Sequence, residues 1–248
     1  MATLAAHPAN TAKLAKDLPG QRYDHLFFSS MALLMLVTVF IGFARTYFLA
    51  GVFRAPLPAL IIHLHGAAFS CWILLLVAQT SLVAAGRVDI HKRLGIAGFL
   101  LGCLMVILGA LVATNALVRQ HGPPGMDVKF FYIVPLTDIL IFATLVFFAF
   151  RERTNSAVHK RLIYIATTAL LVAAIARWPI VRNPFLAAYY SNIFLLIMVA
   201  YDLWSTRKVY RVTIWASAFL IFVQQVRIPI GKTAAWHAFA TWAQTLGR

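Results

Sequence analysis

Seven long apolar segments follow one another along the chain, separated by short polar stretches. A helix needs about 20 mostly apolar residues to cross the hydrocarbon core of a bilayer, and each segment reaches or nearly reaches that length. None of them alternates apolar and polar residues with the period of two that is typical of a strand. The pattern predicts an all-α polytopic membrane helical bundle, with transmembrane helices at 26–44, 59–84, 94–118, 130–150, 162–178, 183–201 and 209–230.

The composition supports a membrane protein. Apolar residues make up 62% of the chain and charged residues 12%, whereas soluble domains average about 45–50% and about 25%. A soluble fold needs more polar surface than this chain can supply. The composition therefore excludes a disordered chain, a disulfide scaffold and a water-soluble enzyme domain.

The predicted spans divide the chain into three parts. Residues 1–24 form an N-terminal segment without the apolar stretch of a cleavable signal peptide, and residues 25–231 form the seven-helix transmembrane domain. Residues 232–248 form an amphipathic tail. Four of its apolar residues recur near helical spacing, which predicts a helix lying at the membrane interface; they are Trp236, Phe239, Ala243 and Leu246.

The charge balance reflects the membrane setting. The 22 Lys and Arg residues outnumber the 7 Asp and Glu residues, which gives a net charge of +15. These cations stand at the ends of the apolar segments, where they set topology and contact anionic lipid headgroups, so we exclude nucleic acid as a partner. The loops on the side of the N-terminus carry the larger share of cations. The positive-inside rule thus predicts that the N-terminus lies in the cytoplasm and the C-terminus outside. The membrane that we expect is a bacterial inner (plasma) membrane.

A short motif occurs twice at the cytoplasmic edge of the predicted bundle. The run Ile-His-Lys-Arg-Leu at 90–94 returns as Val-His-Lys-Arg-Leu at 158–162. Each copy opens a transmembrane helix in the same sense, so the second and third segments resemble the fourth and fifth as parallel copies of a helix pair.

Three histidines open odd-numbered segments at this edge: His25, His91 and His159. Neutral imidazole binds haem iron, zinc and copper, and two imidazoles from different helices can hold a haem between them. One hypothesis is therefore a b-type haem with His91 and His159 as ligands. The alternative is that these histidines are polar interface groups beside basic anchors and bind no metal.

A second set of polar residues is predicted in the outer half of the membrane. His63 and His65 fall on the second segment, and Asn115, Asp138 and Arg177 fall on three others at comparable depth. Ionisable groups inside hydrocarbon usually face a cavity or pair with one another. This set predicts either a ligand pocket or proton-relay site, or a structural network that ties helices together. Asp138 needs a partner, for which we expect Arg177 or one of the histidines.

The step formed by His91, Leu94 and Gly95, with the long uncharged segment after it, resembles two-haem b-type membrane cytochromes and related uncharacterised bacterial membrane families. The His-Lys-Arg-Leu run also resembles one in small membrane proteins linked to cytochrome oxidase assembly. The resemblance implies a haem held by His91 and His159. It also implies a second pair of ligands, formed by His63 or His65 and a histidine of the fourth segment. That segment contains no histidine, and its one ionisable candidate is Asp138.

Two functions remain open at this point. In the first, the chain is a haem-b-associated electron-transport protein or an accessory or assembly subunit of a larger respiratory-type membrane complex. In the second, it is a membrane-embedded enzyme or transporter with an outward-facing polar pocket. The first function depends on His91 and His159, and the second on His63, His65, Asn115, Asp138 and Arg177. A purely structural role for both sets is the third interpretation.

Overall fold

The computed structural model describes residues 23–56, 58–181 and 183–246. Most of the predicted N-terminal segment, and residues 247–248 of the tail, lie outside these ranges. Across them the chain forms α-helices with short connections and no strand, and seven helical spans are long and apolar enough to cross a membrane. The predicted all-α bundle is confirmed, and the chain is a multi-pass membrane protein.

The helices are numbered in chain order. α1 continues into a π-helical turn, Ala44–Phe48, and a 3-10 turn, Pro184–Leu186, precedes α6; together α6 and α7 form the sixth span. The α-helices are α1 Asp24–Phe43, α2 Leu60–Ala84, α3 Val88–Val118, α4 Val128–Arg151, α5 Ser156–Ile175, α6 Ala187–Ser191, α7 Ile193–Thr206, α8 Arg211–Gly231 and α9 Ala234–Leu246.

Two helices, α3 and α5, begin earlier in the sequence than predicted. α3 begins at Val88 instead of 94, and α5 begins at Ser156 instead of 162, so both motif copies lie inside helices. Asn155 caps α5 by accepting a hydrogen bond from the amide of Val158, which moves the start ahead of the charged residues. α5 also ends at Ile175, so Arg177 lies beyond the helix in which it was predicted.

α5 is the central helix of the bundle. It packs against α1, α4, α6 and α8, and most of its side chains are buried. α1 approaches it closely at Gly42, where a Cβ atom would lie 2.3 Å from the carbonyl oxygen of Ala174. α5 also carries the second copy of the motif. Because the helix is buried on most of its faces, the charged side chains of that copy need partners inside the bundle.

α3 is a peripheral helix with two distinct faces. Its glycines Gly98, Gly102 and Gly109 are buried, and a Cβ atom at each would touch side chains of α2 or α4. The opposite face carries large exposed apolar side chains at helical spacing, as expected of a helix that faces lipid; they are Ile96, Leu100, Leu104, Ile107 and Leu111.

The C-terminal tail forms a helix, as predicted. α9 packs across α4, α3 and α8, where Gln244 donates to the carbonyl of Leu117 at 3.1 Å and the indole of Trp236 donates to the carbonyl of Lys129 at 2.7 Å. Its outer face exposes large apolar side chains, namely Phe239, Trp242 and Leu246. The tail is therefore anchored to the bundle, and its position in the headgroup region stays a prediction.

Candidate functional site

A cavity of about 1020 Å³ opens at the end of the bundle where both motif copies lie. We call this end the motif end, the opposite one the far end, and the cavity the motif cavity. Residues from α1, α2, α3, α4, α5 and α7 line it, so almost every span contributes to its wall. Its size is at the upper limit of ordinary small-molecule pockets, which hold about 300–1,000 Å³. The cavity can therefore receive a large ligand.

The two motif histidines meet in the wall of this cavity. His91 comes from α3 and His159 from α5, and their ring centroids lie 6.3 Å apart with the ring planes at 84°. Both side chains are half-buried. The structure thus brings together, across 68 positions of sequence, the two residues that the repeat singled out. His25, the third histidine of this edge, also lines the cavity but is exposed.

The two imidazoles differ in how they are held. The Nδ1 atom of His159 lies 2.8 Å from the carbonyl oxygen of Ala149, which is fully buried. A proton on Nδ1 is then donated to that carbonyl, and the lone pair is left on Nε2. This is the arrangement in which metal-ligating histidines are oriented by a second hydrogen bond.

The ring of His91 lies instead beside the main chain of Gln79 on α2. Its Nδ1 atom is buried and finds no hydrogen-bond partner within the described ranges. The Gln79 side chain donates to the main-chain oxygen of His91 at 3.3 Å, and the Oε1 atom of Gln79 is likewise buried without a partner. Two buried polar atoms of residues in the cavity wall, one on His91 and one on Gln79, therefore lack a hydrogen bond, which is unusual for buried polar groups.

The lysine of the second copy belongs to a network at the start of α1. Lys160 forms an ion pair with Asp24, and the hydroxyl of Tyr201 donates to the other carboxylate oxygen at 2.5 Å. Phe27 stacks on the Tyr201 ring at a centroid distance of 3.7 Å. These contacts join the first turn of α1 to α5 and α7 beside the cavity.

The arginine of the second copy is buried against an acid of α7. Arg161 is 1% exposed and Asp202 is 0% exposed, and two guanidinium nitrogens donate to one Asp202 oxygen at 2.9 and 2.6 Å. The second oxygen accepts from the Thr213 hydroxyl at 2.6 Å and from the Tyr210 amide at 3.2 Å. The pair is fully hydrogen-bonded, which a buried ion pair requires.

Sequence reasoning did not single out Asp202 or Asp24. The signal was present, because an acid at the end of an apolar segment is rare and needs a partner. Asp202 follows directly after the predicted sixth span, and Asp24 stands just before the first one. Both lie at the motif end, where the excess of cations offered many partners and the sequence could not choose among them.

At the far end, the partner of Asp138 differs from the expected one. Asp138 is buried on α4 and accepts a hydrogen bond at 2.6 Å from the guanidinium of Arg227 on α8. The expectation of Arg177 or a histidine as its partner was therefore wrong. The reason is helix packing, because α4 packs directly on α8. The same guanidinium also approaches the Thr137 hydroxyl at 3.3 Å.

The other residues of the predicted outward pocket make separate local contacts. Arg177 is exposed, donates to the carbonyl of Ala173 at 2.6 Å and lies over the Phe43 ring at 4.7 Å. His63 lies 5.7 Å from the Tyr47 ring, measured between centroids.

His65 stacks on Phe69 at a centroid distance of 4.1 Å, and its Nδ1 atom is buried without a partner in the described part of the chain. Asn115 is half-buried on α3. Neither the motif cavity nor the small cavity beside Phe40 and Ser70 is lined by His63, His65, Asn115, Asp138 or Arg177.

The described residues contain no group of three or more His, Cys, Asp or Glu side chains that could hold a metal ion. Cys71 and Cys103 are free and exposed. A metal site built on side chains alone is thus not apparent in these ranges, whereas a haem needs only one or two axial ligands from the protein. The His91–His159 pair meets that smaller requirement.

The chain matches no known family model, no curated protein and no solved structure. The site must therefore be interpreted from its own geometry.

Proposed function

We propose that this membrane protein binds a b-type haem in the motif cavity through His91 and His159. It would serve in electron transport, as a redox protein or as an accessory or assembly subunit of a respiratory-type membrane complex. The observation that carries the proposal is the approach of the two imidazoles, with ring centroids 6.3 Å apart, in the wall of a cavity of about 1020 Å³.

The distance between the rings fits a shared metal ion. Bonds from a metal to an imidazole nitrogen are about 2.0–2.1 Å long, so two nitrogens on opposite sides of one ion lie about 4 Å apart. The distance from each nitrogen to its ring centre brings the two centroids to slightly more than about 6 Å. The observed separation of 6.3 Å therefore agrees with the spacing that two ligands of one metal ion would have.

The cavity wall fits a large planar apolar group. Aromatic side chains from five helices line it, and the Phe99 and Phe150 rings stack on each other at 4.1 Å. Trp72, another aromatic residue of the wall, donates a hydrogen bond from its indole to the Thr167 hydroxyl at 3.2 Å. Such walls exclude water from a bound macrocycle, and they keep it in the low-dielectric interior that influences its potential.

A bound haem would supply one-electron redox chemistry. The protein's own residues would bind and orient it. His159 is held with Nε2 free by its hydrogen bond to Ala149, and His91 enters from the other copy of the motif. The apolar walls would keep the metal away from bulk solvent.

The test is an absorbance spectrum of the protein purified in detergent after haem-replete expression, oxidised and then reduced with dithionite. We expect Soret and α bands in stoichiometric amount, and loss of most bound haem in His91→Ala and in His159→Ala. His25→Ala is the matched control, because His25 lines the same cavity but is exposed. A featureless wild-type spectrum, or full haem content in both variants, would contradict the proposal.

We also propose that the motif end faces the bacterial cytoplasm. The support is the positive-inside rule, because this end carries many exposed cations. The test is labelling with a membrane-impermeant maleimide of single cysteines introduced at Arg87 and at His121 in a variant that lacks Cys71 and Cys103. The cysteine at position 121, at the far end, should react first in intact cells. The exposed cations of the motif end are Arg87, Lys92, Arg93, Arg151, Arg153, Arg207, Lys208 and Arg211.

The alternative function, an enzyme or transporter with an outward pocket, has less geometric support. Its only carboxylate, Asp138, is already held by Arg227 at 2.6 Å. General acid-base chemistry needs a titratable group within hydrogen-bond reach of a substrate, and that group is here bound inside the protein.

A further inference from the structure

Four cations line the motif cavity, and they fall into two classes. Lys160 is paired with Asp24, and Arg161 is paired with Asp202. Lys92 and Arg153 also line the cavity, but neither forms an ion pair with an acid in the part of the chain that the structure describes. The cavity therefore has two uncompensated positive charges.

These two side chains stand at the outer edge of the cavity. Lys92 follows His91 in the first turns of α3, and Arg153 lies in the connection between α4 and α5. Both are exposed. The guanidinium of Arg153 lies 4.6 Å from the centroid of the Phe150 ring and donates to the Phe150 carbonyl at 3.0 Å, which holds it beside the cavity.

The inner part of the cavity is apolar. Met35, Trp72, Leu76 and Phe99 line it, and each stands at least two turns into its helix from the motif end. Charge is thus confined to one side of the cavity and apolar surface to the other. A ligand that fits both must have an acidic group attached to an apolar body.

We infer that the motif cavity selects an amphipathic anion whose carboxylate or phosphate group binds Lys92 and Arg153. The identification of that anion with haem rests on the proposed function, because the propionate groups of a haem would supply the carboxylates. An anionic phospholipid carries the same chemistry on a different body. The inference that the ligand of the cavity is an anion does not depend on binding of iron by the histidines.

The neighbouring cations provide a matched control. Arg93 is next to Lys92 in the same turn, and Arg151 precedes Arg153 by two positions; both are exposed, and neither lines the cavity. Lys92→Gln/Arg153→Gln and Arg93→Gln/Arg151→Gln remove the same net charge from the same membrane surface. Only the first pair should affect the cavity.

Binding of metal-free protoporphyrin IX to the full-length protein in detergent gives the first readout, followed by its fluorescence and compared with its dimethyl ester. The wild type should prefer the diacid. Lys92→Gln/Arg153→Gln should weaken diacid binding by about tenfold, because each partly exposed ion pair contributes a few-fold to affinity. The dimethyl ester should change by less than about twofold, and the control pair should leave both affinities within about twofold of the wild type.

Native mass spectrometry with phosphatidylglycerol and phosphatidylcholine gives the second readout. A preference for the diacid that depends on Lys92 and Arg153 supports the inference with haem as the source. A preference that appears only for phosphatidylglycerol supports it with a lipid as the source, and the haem proposal then fails alone. The inference is overturned if the wild type binds the diacid and its ester equally and also binds the two lipids equally. It is also overturned if Lys92→Gln/Arg153→Gln and Arg93→Gln/Arg151→Gln show the same preference for the acidic ligand.

Discussion

The two copies of the His-Lys-Arg-Leu motif lie at one end of the bundle, and their environments are opposite. In the second copy, on the central helix α5, Lys160 and Arg161 are each paired with an acid. In the first copy, on the peripheral helix α3, Lys92 and Arg93 are exposed, and no salt bridge joins either to a described acid.

Helix position explains this difference. A charge carried into the core must be paired and hydrogen-bonded, whereas one at the membrane edge can remain solvated or contact headgroups. The second copy therefore fixes the helix that carries it, and its histidine is held by a main-chain oxygen. The first copy has its histidine and lysine in the wall of the cavity, where the proposed function assigns them to ligand binding.

The largest expected effect distinguishes the two arginines. Arg161→Met leaves the carboxylate of Asp202 buried without its cation, which costs about 3–5 kcal/mol of unfolding free energy. Arg93→Met removes an exposed charge and should not measurably change stability. Unfolding of the two variants in mixed micelles of dodecyl maltoside and SDS, followed by circular dichroism, measures the difference.

The control for this prediction is Arg161→Met/Asp202→Leu. Removal of both charges should restore part of the lost stability, although Thr213 and the Tyr210 amide lose their acceptor. Equal unfolding midpoints for Arg161→Met and Arg93→Met would show that the buried pair does not anchor α5.

A smaller effect is expected where the two histidines differ. His159 donates from Nδ1 to the Ala149 carbonyl, whereas neither the Nδ1 atom of His91 nor the Oε1 atom of Gln79 has a hydrogen-bond partner among the described residues. If Gln79 orients His91 on ligand binding, Gln79→Leu should weaken haem binding about 10- to 100-fold, as removal of outer-shell partners does. Gln79→Glu keeps an acceptor and should retain binding with a lower reduction potential.

Competition with apomyoglobin, with the potential measured by redox titration, gives both quantities. Thr80→Val is a suitable control, because Thr80 lines the same cavity and donates its hydrogen bond to the Val77 carbonyl of its own helix. Unchanged affinity and potential in both Gln79 variants would remove Gln79 from the site.

The smallest effect concerns the two lysines. Lys160→Met breaks a partly shielded pair with Asp24, for which we expect a loss of about 1–2 kcal/mol, between the values for exposed and buried pairs. Lys92→Met should leave stability unchanged. The same micelle unfolding assay applies, and a Lys92→Met variant as unstable as Lys160→Met would contradict the contrast between the copies.

The number and approximate position of the spans could be predicted from sequence because hydrocarbon admits few polar groups. Helix starts were less predictable. The charged residues at 91–93 and 159–161 suggested that the spans begin after the motif, whereas both helices extend through it. Capping by Asn155 and burial of Arg161 against Asp202 stabilise that extension at α5, and the second of these depends on a residue 41 positions away.

Pairing between helices was the part that sequence could not determine. The repeat drew attention to His91 and His159, and the structure places their rings together. For Asp138, depth alone left several candidate partners, and only the packing of α4 on α8 selects Arg227. Haem ligation by the histidine pair stays a prediction.

The most direct test of the account is the reaction of the reduced, haem-loaded protein with carbon monoxide, followed in the Soret region. If both histidines held the iron, no coordination position would remain for carbon monoxide, so the wild type should show no carbon monoxide adduct, while any haem retained by His91→Ala or His159→Ala should form one. An immediate adduct in the wild type, or none in either variant despite bound haem, would show that His91 and His159 do not share one metal ion.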